Sequence, residues 1–158
     1  MRVIKSMLDK LLGSICVALL AFLVVLVTWQ VFTRFVLNNP NMISEELAQY
    51  CFVWLVLYGS AYVFGESGHM AIEFIKEKFP QKIKTGIELL IQLVIIVFAA
   101  LVLIKGGLNV TALAWSQLSP SLQIPVGYLY TAIPISGAFT VIYCINHMYL
   151  ILTKKEPA

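Results

Sequence analysis

The stretch Ser44–Met70, SEELAQYCFVWLVLYGSAYVFGESGHM, decides the fold. From Leu47 to Gly65 it runs 19 residues without a formal charge, and Glu45 and Glu46 stand before this run and Glu66 and His69 after it. At about 1.5 Å of rise per residue an α-helix of that length covers roughly 28 Å, close to the hydrocarbon thickness of a bilayer. The segment therefore reads as one transmembrane crossing. Ser44 is placed to accept a hydrogen bond from a first-turn N–H, and the two carboxylates sit where the helix dipole favours anions. Within the run, Glu46, Tyr50, Trp54, Tyr58, Tyr62 and Glu66 recur every four residues. Neighbours in this series touch, although the stripe drifts around the helix because four residues exceed one turn. Bulky packing against adjacent helices and a surface that meets another protein both account for it.

Three more apolar runs lie outward of this one. The first crossing is read over 11–36, the second over 44–66, the third over 84–115 and the fourth over 126–152. A short amphipathic helix at 70–79, in the membrane interface, joins the second and third. On a wheel Ala71, Ile72, Phe74, Ile75 and Phe79 share one arc and Glu73, Lys76 and Glu77 oppose it; Lys78 falls within the apolar arc, where its long stem can lift the charge out, and Pro80 ends the segment, an ordinary solvated loop being the alternative. The whole of 1–158 reads as a single membrane domain of all-α class. Composition agrees: 60% of the 158 residues are hydrophobic and 12% charged, and a soluble domain this small has no way to hide so much apolar surface. The 23 uncharged residues from Leu11 to Thr33 exceed a signal-peptide core and carry no A-x-A-like cleavage site, so they read as a retained helix.

Charge sets the orientation. Arg2, Lys5, Lys10, Lys76, Lys78, Lys82, Lys84, Lys154 and Lys155 fall on one side and Arg34 and Lys105 on the other, which places both termini in the cytoplasm by the positive-inside rule. Arg34 then shares a face with Glu45 and Glu46, and an ion pair between them is expected. Asn38, Asn39, Pro40 and Asn41 supply the turn. Lys105 stands deeper, followed by Gly106 and Gly107, which suggest close helix approach or a local loosening of the helix. Pro134, inside the fourth crossing, removes a backbone hydrogen bond and presses on the carbonyl of Tyr130, so a kink is expected there. Ala132 and Ser136 form a small-xxx-small pair suited to a close helical neighbour.

Chemistry-bearing motifs are missing. No phosphate-cradling glycine loop, H-E-x-x-H or G-x-S-x-G occurs, the basic residues are too dispersed for a nucleic-acid footprint, and Cys16, Cys51 and Cys144 lie far apart in apolar runs. No enzyme, metal or cofactor is expected. The alternative is a four-helix redox protein holding haem between His69 and His147, which the topology puts on one side of the membrane. A self-sufficient transporter needs broken helices or midplane ionisable groups; apart from Lys105 the chain has none.

The block S-E-E-L-A-x-Y at 44–50, with F-V-W-L-V at 52–56, G-S-A-Y at 59–62 and G-H-M-A-I-E at 68–73, resembles the small membrane subunit of tripartite ATP-independent periplasmic (TRAP) transporters. P-V-G-Y at 125–128 and A-I-P-I-S-G at 132–137 resemble that family's fourth-helix signature. The resemblance implies a bacterial inner-membrane protein in stable complex with a much larger multi-span subunit that carries the substrate and sodium sites. A periplasmic binding protein then delivers an acidic substrate such as a C4-dicarboxylate or, on overall similarity, a sialic acid. It also implies structural or partner-facing roles for Arg34, Ser44, Glu45, Glu46, Tyr50, Trp54, Tyr58, Gly68, His69, Pro134 and Gly137.

Overall fold

The computed structural model describes residues 2–65 and 81–153. The expected interfacial helix at 70–79, together with Glu66, Gly68 and His69, lies outside them. Four helices are long and apolar enough to cross a membrane, spanning Lys5–Phe35, Met42–Gly65, Thr85–Ala114 and Gly127–Leu152. Element by element these are α1 (Arg2–Phe35), α2 (Met42–Gly65), α3 (Gln81–Phe98) continuing through a π-helical stretch (Ala99–Gly106) into α4 (Gly107–Ala114), and α5 (Gly127–Tyr130) followed by α6 (Ala132–Leu152). The chain is an all-α, multi-pass membrane protein.

The spans pack in the spatial order first, second, fourth, third: α1 lies on α2, α2 on α6, and α6 on α3 and the π-helical stretch. The two inner spans are accordingly better covered. Within the most apolar stretch of each, 22% of the second and 28% of the fourth span is buried, against 6% for the first and the third. The main core cluster joins Leu12 of α1, Tyr58 of α2 and Tyr143 of α6, with Leu8, Ile15, Trp54, Tyr62 and Phe139 around it. Above Tyr58, the Trp54 and Phe139 rings meet it edge-on at 5.8 and 6.3 Å between centroids, the geometry that aromatic quadrupoles favour. The described members of the four-residue stripe of α2 are half-buried, apart from the buried Tyr58. Tyr58 is buried and serves packing rather than an outside surface.

Two glycines bring the third and fourth spans close together, and a third makes room for a ring. A Cβ built on Gly65 falls 2.5 Å from the Tyr143 ring, one on Gly107 falls 2.9 Å from Ile133 and Pro134, and one on Gly137 falls 2.6 Å from Leu103 Cβ. Carbon atoms in contact rest about 3.5–4.0 Å apart, so a side chain at Gly107 or Gly137 would part the helices and one at Gly65 would displace the Tyr143 ring. The close approach expected at Gly106 and Gly107 belongs to Gly107, and the loosening takes the form of the π-helical stretch that ends at Gly106.

Several boundaries differ from those read off the sequence. The first helix extends back to Arg2 instead of starting at residue 11; its early turns are anchored where the Tyr143 hydroxyl donates to Asp9 Oδ1 at 2.8 Å. The second begins at Met42, because Asn41, not Ser44, is the cap. Asn41 Oδ1 accepts from the N–H of Ile43 at 3.0 Å and of Ser44 at 3.4 Å, while Ser44 Oγ turns back to donate to the Asn41 carbonyl at 2.8 Å. In the fourth span the helix is interrupted at Thr131, three residues before Pro134, where the ring and its missing N–H disturb the preceding turn.

Candidate functional site

One polar cluster of the described residues lies at the end of the packed helices where α2 starts. Two connections meet there. The 36–41 turn leaves α1 with Val36 N–H on the Phe32 carbonyl at 2.9 Å and Asn39 N–H on Thr33 at 3.1 Å, and Asn38 takes a left-handed φ of 48°, a conformation its short polar side chain tolerates. The 115–126 connection is folded on itself. Leu118 and Pro125 form an antiparallel bridge, Ser119 N–H donates to the Ile124 carbonyl at 2.9 Å and Val126 N–H to Gln117 at 2.8 Å. Trp115 stacks at a tilt on Tyr128, 5.1 Å between centroids, and closes over Gly127.

Glu46 ties these parts together. Its Oε2 accepts from the backbone N–H of Ser121 at 2.8 Å and of Leu122 at 3.0 Å. Two successive amides converging on one anion make a small nest, and charge-assisted bonds of this kind outlast neutral ones. The first turn of α2 and a loop 75 residues later in the chain are thereby latched. The Ser119 hydroxyl and Tyr50 lie beside the carboxylate; Ser119 is 1% exposed, and neither hydroxyl closes a hydrogen bond of good geometry.

The ion pair expected between Arg34 and the Glu45/Glu46 pair is not the arrangement found. Glu46 is satisfied by the loop amides, Glu45 is exposed, and the Arg34 guanidinium lies over the Phe35 ring, 5.8 Å from its centroid. An aromatic face on the adjacent residue costs Arg34 no reach, whereas Glu46 points across the helix packing towards the loop. Of the remaining expected residues, Ser44 is buried behind the cap and Tyr50 and Trp54 continue the half-buried stripe. Pro134 and Gly137 form the seam with the third span. Asp9 went unselected on sequence, and Asn41 was read as a turn residue rather than as the cap. Asp9 carried a legible signal as the only acid ahead of the first apolar run.

The model of the DctQ component of tripartite ATP-independent periplasmic transporters matches residues 23–154. The chain belongs to the DctQ family. Among its relatives, this DctQ chain is similar to the sialic acid TRAP transporter small permease protein SiaQ of Vibrio cholerae, 28% identical over 141 residues that cover 89% of this chain and 81% of that one. A putative TRAP transporter small permease protein of Haemophilus influenzae is 26% identical over 137 residues, 87% and 84% of the two chains. The sialic acid TRAP transporter permease protein SiaT of Haemophilus influenzae is 28% identical over 97 residues, 61% of this chain but 15% of its own. In that relative the DctQ-like region is a small part of a far longer permease.

Proposed function

We propose that this DctQ component acts as the fixed scaffold beside a large, sodium-coupled membrane subunit, in the uptake of an acidic substrate that a periplasmic binding protein delivers. Sialic acid is the substrate favoured, since two of the relatives bear that name, and a C4-dicarboxylate is the next. The observation that carries this reading is the SiaT relationship: a region like this chain occupies 15% of one long permease polypeptide, as expected of a part that works only alongside the rest. The cap at Asn41, the Glu46 loop latch and the interhelical Tyr143–Asp9 bond, all of which hold the fold together, suit it. The chain resides in the bacterial inner membrane with both termini cytoplasmic, on the nine-to-two split of Lys and Arg.

Reconstitution tests it. Liposomes hold this chain alone, the large subunit alone, or both, and each receives binding protein, sialic acid and an inward sodium gradient. Accumulation in the third set only is the expected result. Sodium-driven uptake by this chain alone would make it a transporter in its own right, and full uptake by the large subunit alone would remove the scaffold requirement.

A further inference from the structure

Lys105 is exposed on the outward side of the third span, in the π-helical stretch, and forms no hydrogen bond or ion pair with the described residues. Its depth follows from the seam with α6. Gly137 meets Leu103 and Ile104 while Gly107 meets Ile133 and Pro134, so the two spans run antiparallel and Lys105 lies level with about residue 135. The fourth span runs Gly127–Leu152, which puts its middle near residue 139 and Lys105 roughly 7 Å from the middle at 1.5 Å per residue. A hydrocarbon core about 30 Å thick extends some 15 Å either side of the middle, so the Lys105 backbone is well inside it.

The side chain is also aimed the wrong way for escape. Every Cα–Cβ bond in a helix tilts towards the helix N-terminus, and the nearer membrane surface for Lys105 is the C-terminal one, at Ala114. Snorkelling to the nearer headgroups runs against that tilt, and the farther surface is out of reach. Yet an ionised side chain in hydrocarbon demands a counter-charge. The surrounding face, Val94, Phe98, Leu101 and Leu108, is apolar and 54–59% exposed; Asn109, one turn on, adds a polar group.

We infer that the outward face of the third span, centred on Lys105, is a docking surface for the large permease subunit and that Lys105 pairs there with an acidic side chain on one of that subunit's transmembrane helices. The inference rests on the scaffold reading above and adds which face is covered and by what chemistry. A lipid phosphate is the poorer occupant, because it lies beyond the hydrocarbon edge, whereas a carboxylate on a helix alongside reaches the same depth as Lys105. Asn109 is placed to hold that carboxylate by a second hydrogen bond.

The test uses the full chain co-expressed with its large subunit. A photoreactive benzoylphenylalanine is placed at Leu101 or Leu108 on this face, or at Val25 on the opposite edge, with Lys105 left intact. Adducts with the large subunit from Leu101 and Leu108 are expected. Lys105→Glu should lower the co-purified large subunit at least tenfold and Lys105→Arg by less than twofold, and an acid-to-lysine change in the large subunit should restore the Lys105→Glu complex. If the wild-type complex forms but Leu101 and Leu108 yield adducts with phospholipid alone, or if only Val25 reaches the large subunit, the face is misassigned while the scaffold reading stands. Co-purification of Lys105→Glu at the wild-type level overturns the charge pairing. Failure of the wild-type chain to co-purify at all removes the scaffold reading and this inference with it.

Discussion

Replacing Gly137 by alanine is the sharpest probe of the seam between the fourth and third spans. The added Cβ would sit 2.6 Å from Leu103 Cβ and 3.1 Å from Ile104 Cγ1. Leu103 Cβ is bonded to the backbone and has no rotamer to escape into, so the helices must part by roughly 1 Å to reach ordinary carbon contact. Overpacking of this kind costs about 1–3 kcal/mol, while alanine gains up to about 1 kcal/mol of helix propensity over glycine. Gly59, with nothing within 4 Å of a built Cβ, supplies the reference: Gly59→Ala collects the propensity without the clash. The difference between the two variants isolates the overpacking, and unfolding in mixed micelles titrated with denaturing detergent, followed by circular dichroism, should place Gly137→Ala about 1–3 kcal/mol below Gly59→Ala. Adding Gly107→Ala should cost less than its own single effect, since one separation of the helices relieves both sites. A Gly137→Ala protein as stable as Gly59→Ala would mean that the spans do not meet as closely as described.

Other outcomes follow from the end where the connections gather. Glu46→Ala should free the 115–126 loop, seen as amide exchange at Ser121 and Leu122 at least tenfold faster, with Glu46→Gln intermediate because its amide oxygen still accepts; Glu45→Ala should leave both amides unchanged. Asn41→Ala should cost about 1 kcal/mol through loss of the cap, in the same micelle titration, and more than Ser44→Ala. Single cysteines at Asn39 and Ser121 should react with an impermeant thiol reagent added to spheroplasts and one at Lys82 should not; labelling of the Lys82 variant from outside would reverse the orientation.

Much of the architecture was legible because hydrophobic length is a local property. Runs such as Leu47–Gly65 announce a crossing whatever surrounds them, and Pro134 announces a disturbed turn through its own covalent chemistry. Partner choice is not local. Arg34 and Glu46 were paired on sequence because a short turn separates them, yet the carboxylate found two amides 75 and 76 residues away, and backbone donors leave no trace in side-chain identity. The cap moved from Ser44 to Asn41 for a related reason: both residues are good caps, and the choice fell to where the turn after Asn38 delivers the chain. The π-helical stretch had only an indirect marker in Gly106 and Gly107, and the residues that flank it, Phe98 and Gly107, keep ordinary helical dihedrals.

The order of the spans has a consequence for how the protein is made. Neighbours in sequence usually become neighbours in space, but here the fourth span lies between the second and the third, and synthesis proceeds from the N-terminus. When the first two helices have left the ribosome they already hold their final partner surface. The third then emerges with no seat: its seam residues, Leu103, Ile104 and Gly107, await Gly137, Ile133 and Pro134, which are not yet translated. Glu46 waits too, because its loop amides lie beyond the third span. The nascent third helix therefore passes an interval alone in lipid, carrying Lys105, and only the arrival of the fourth helix as a wedge completes both contacts. A ribosome stalled after Ala114 would leave a membrane-inserted intermediate with a settled helix pair and one helix adrift, a substrate for membrane quality control rather than a shortened version of the finished protein.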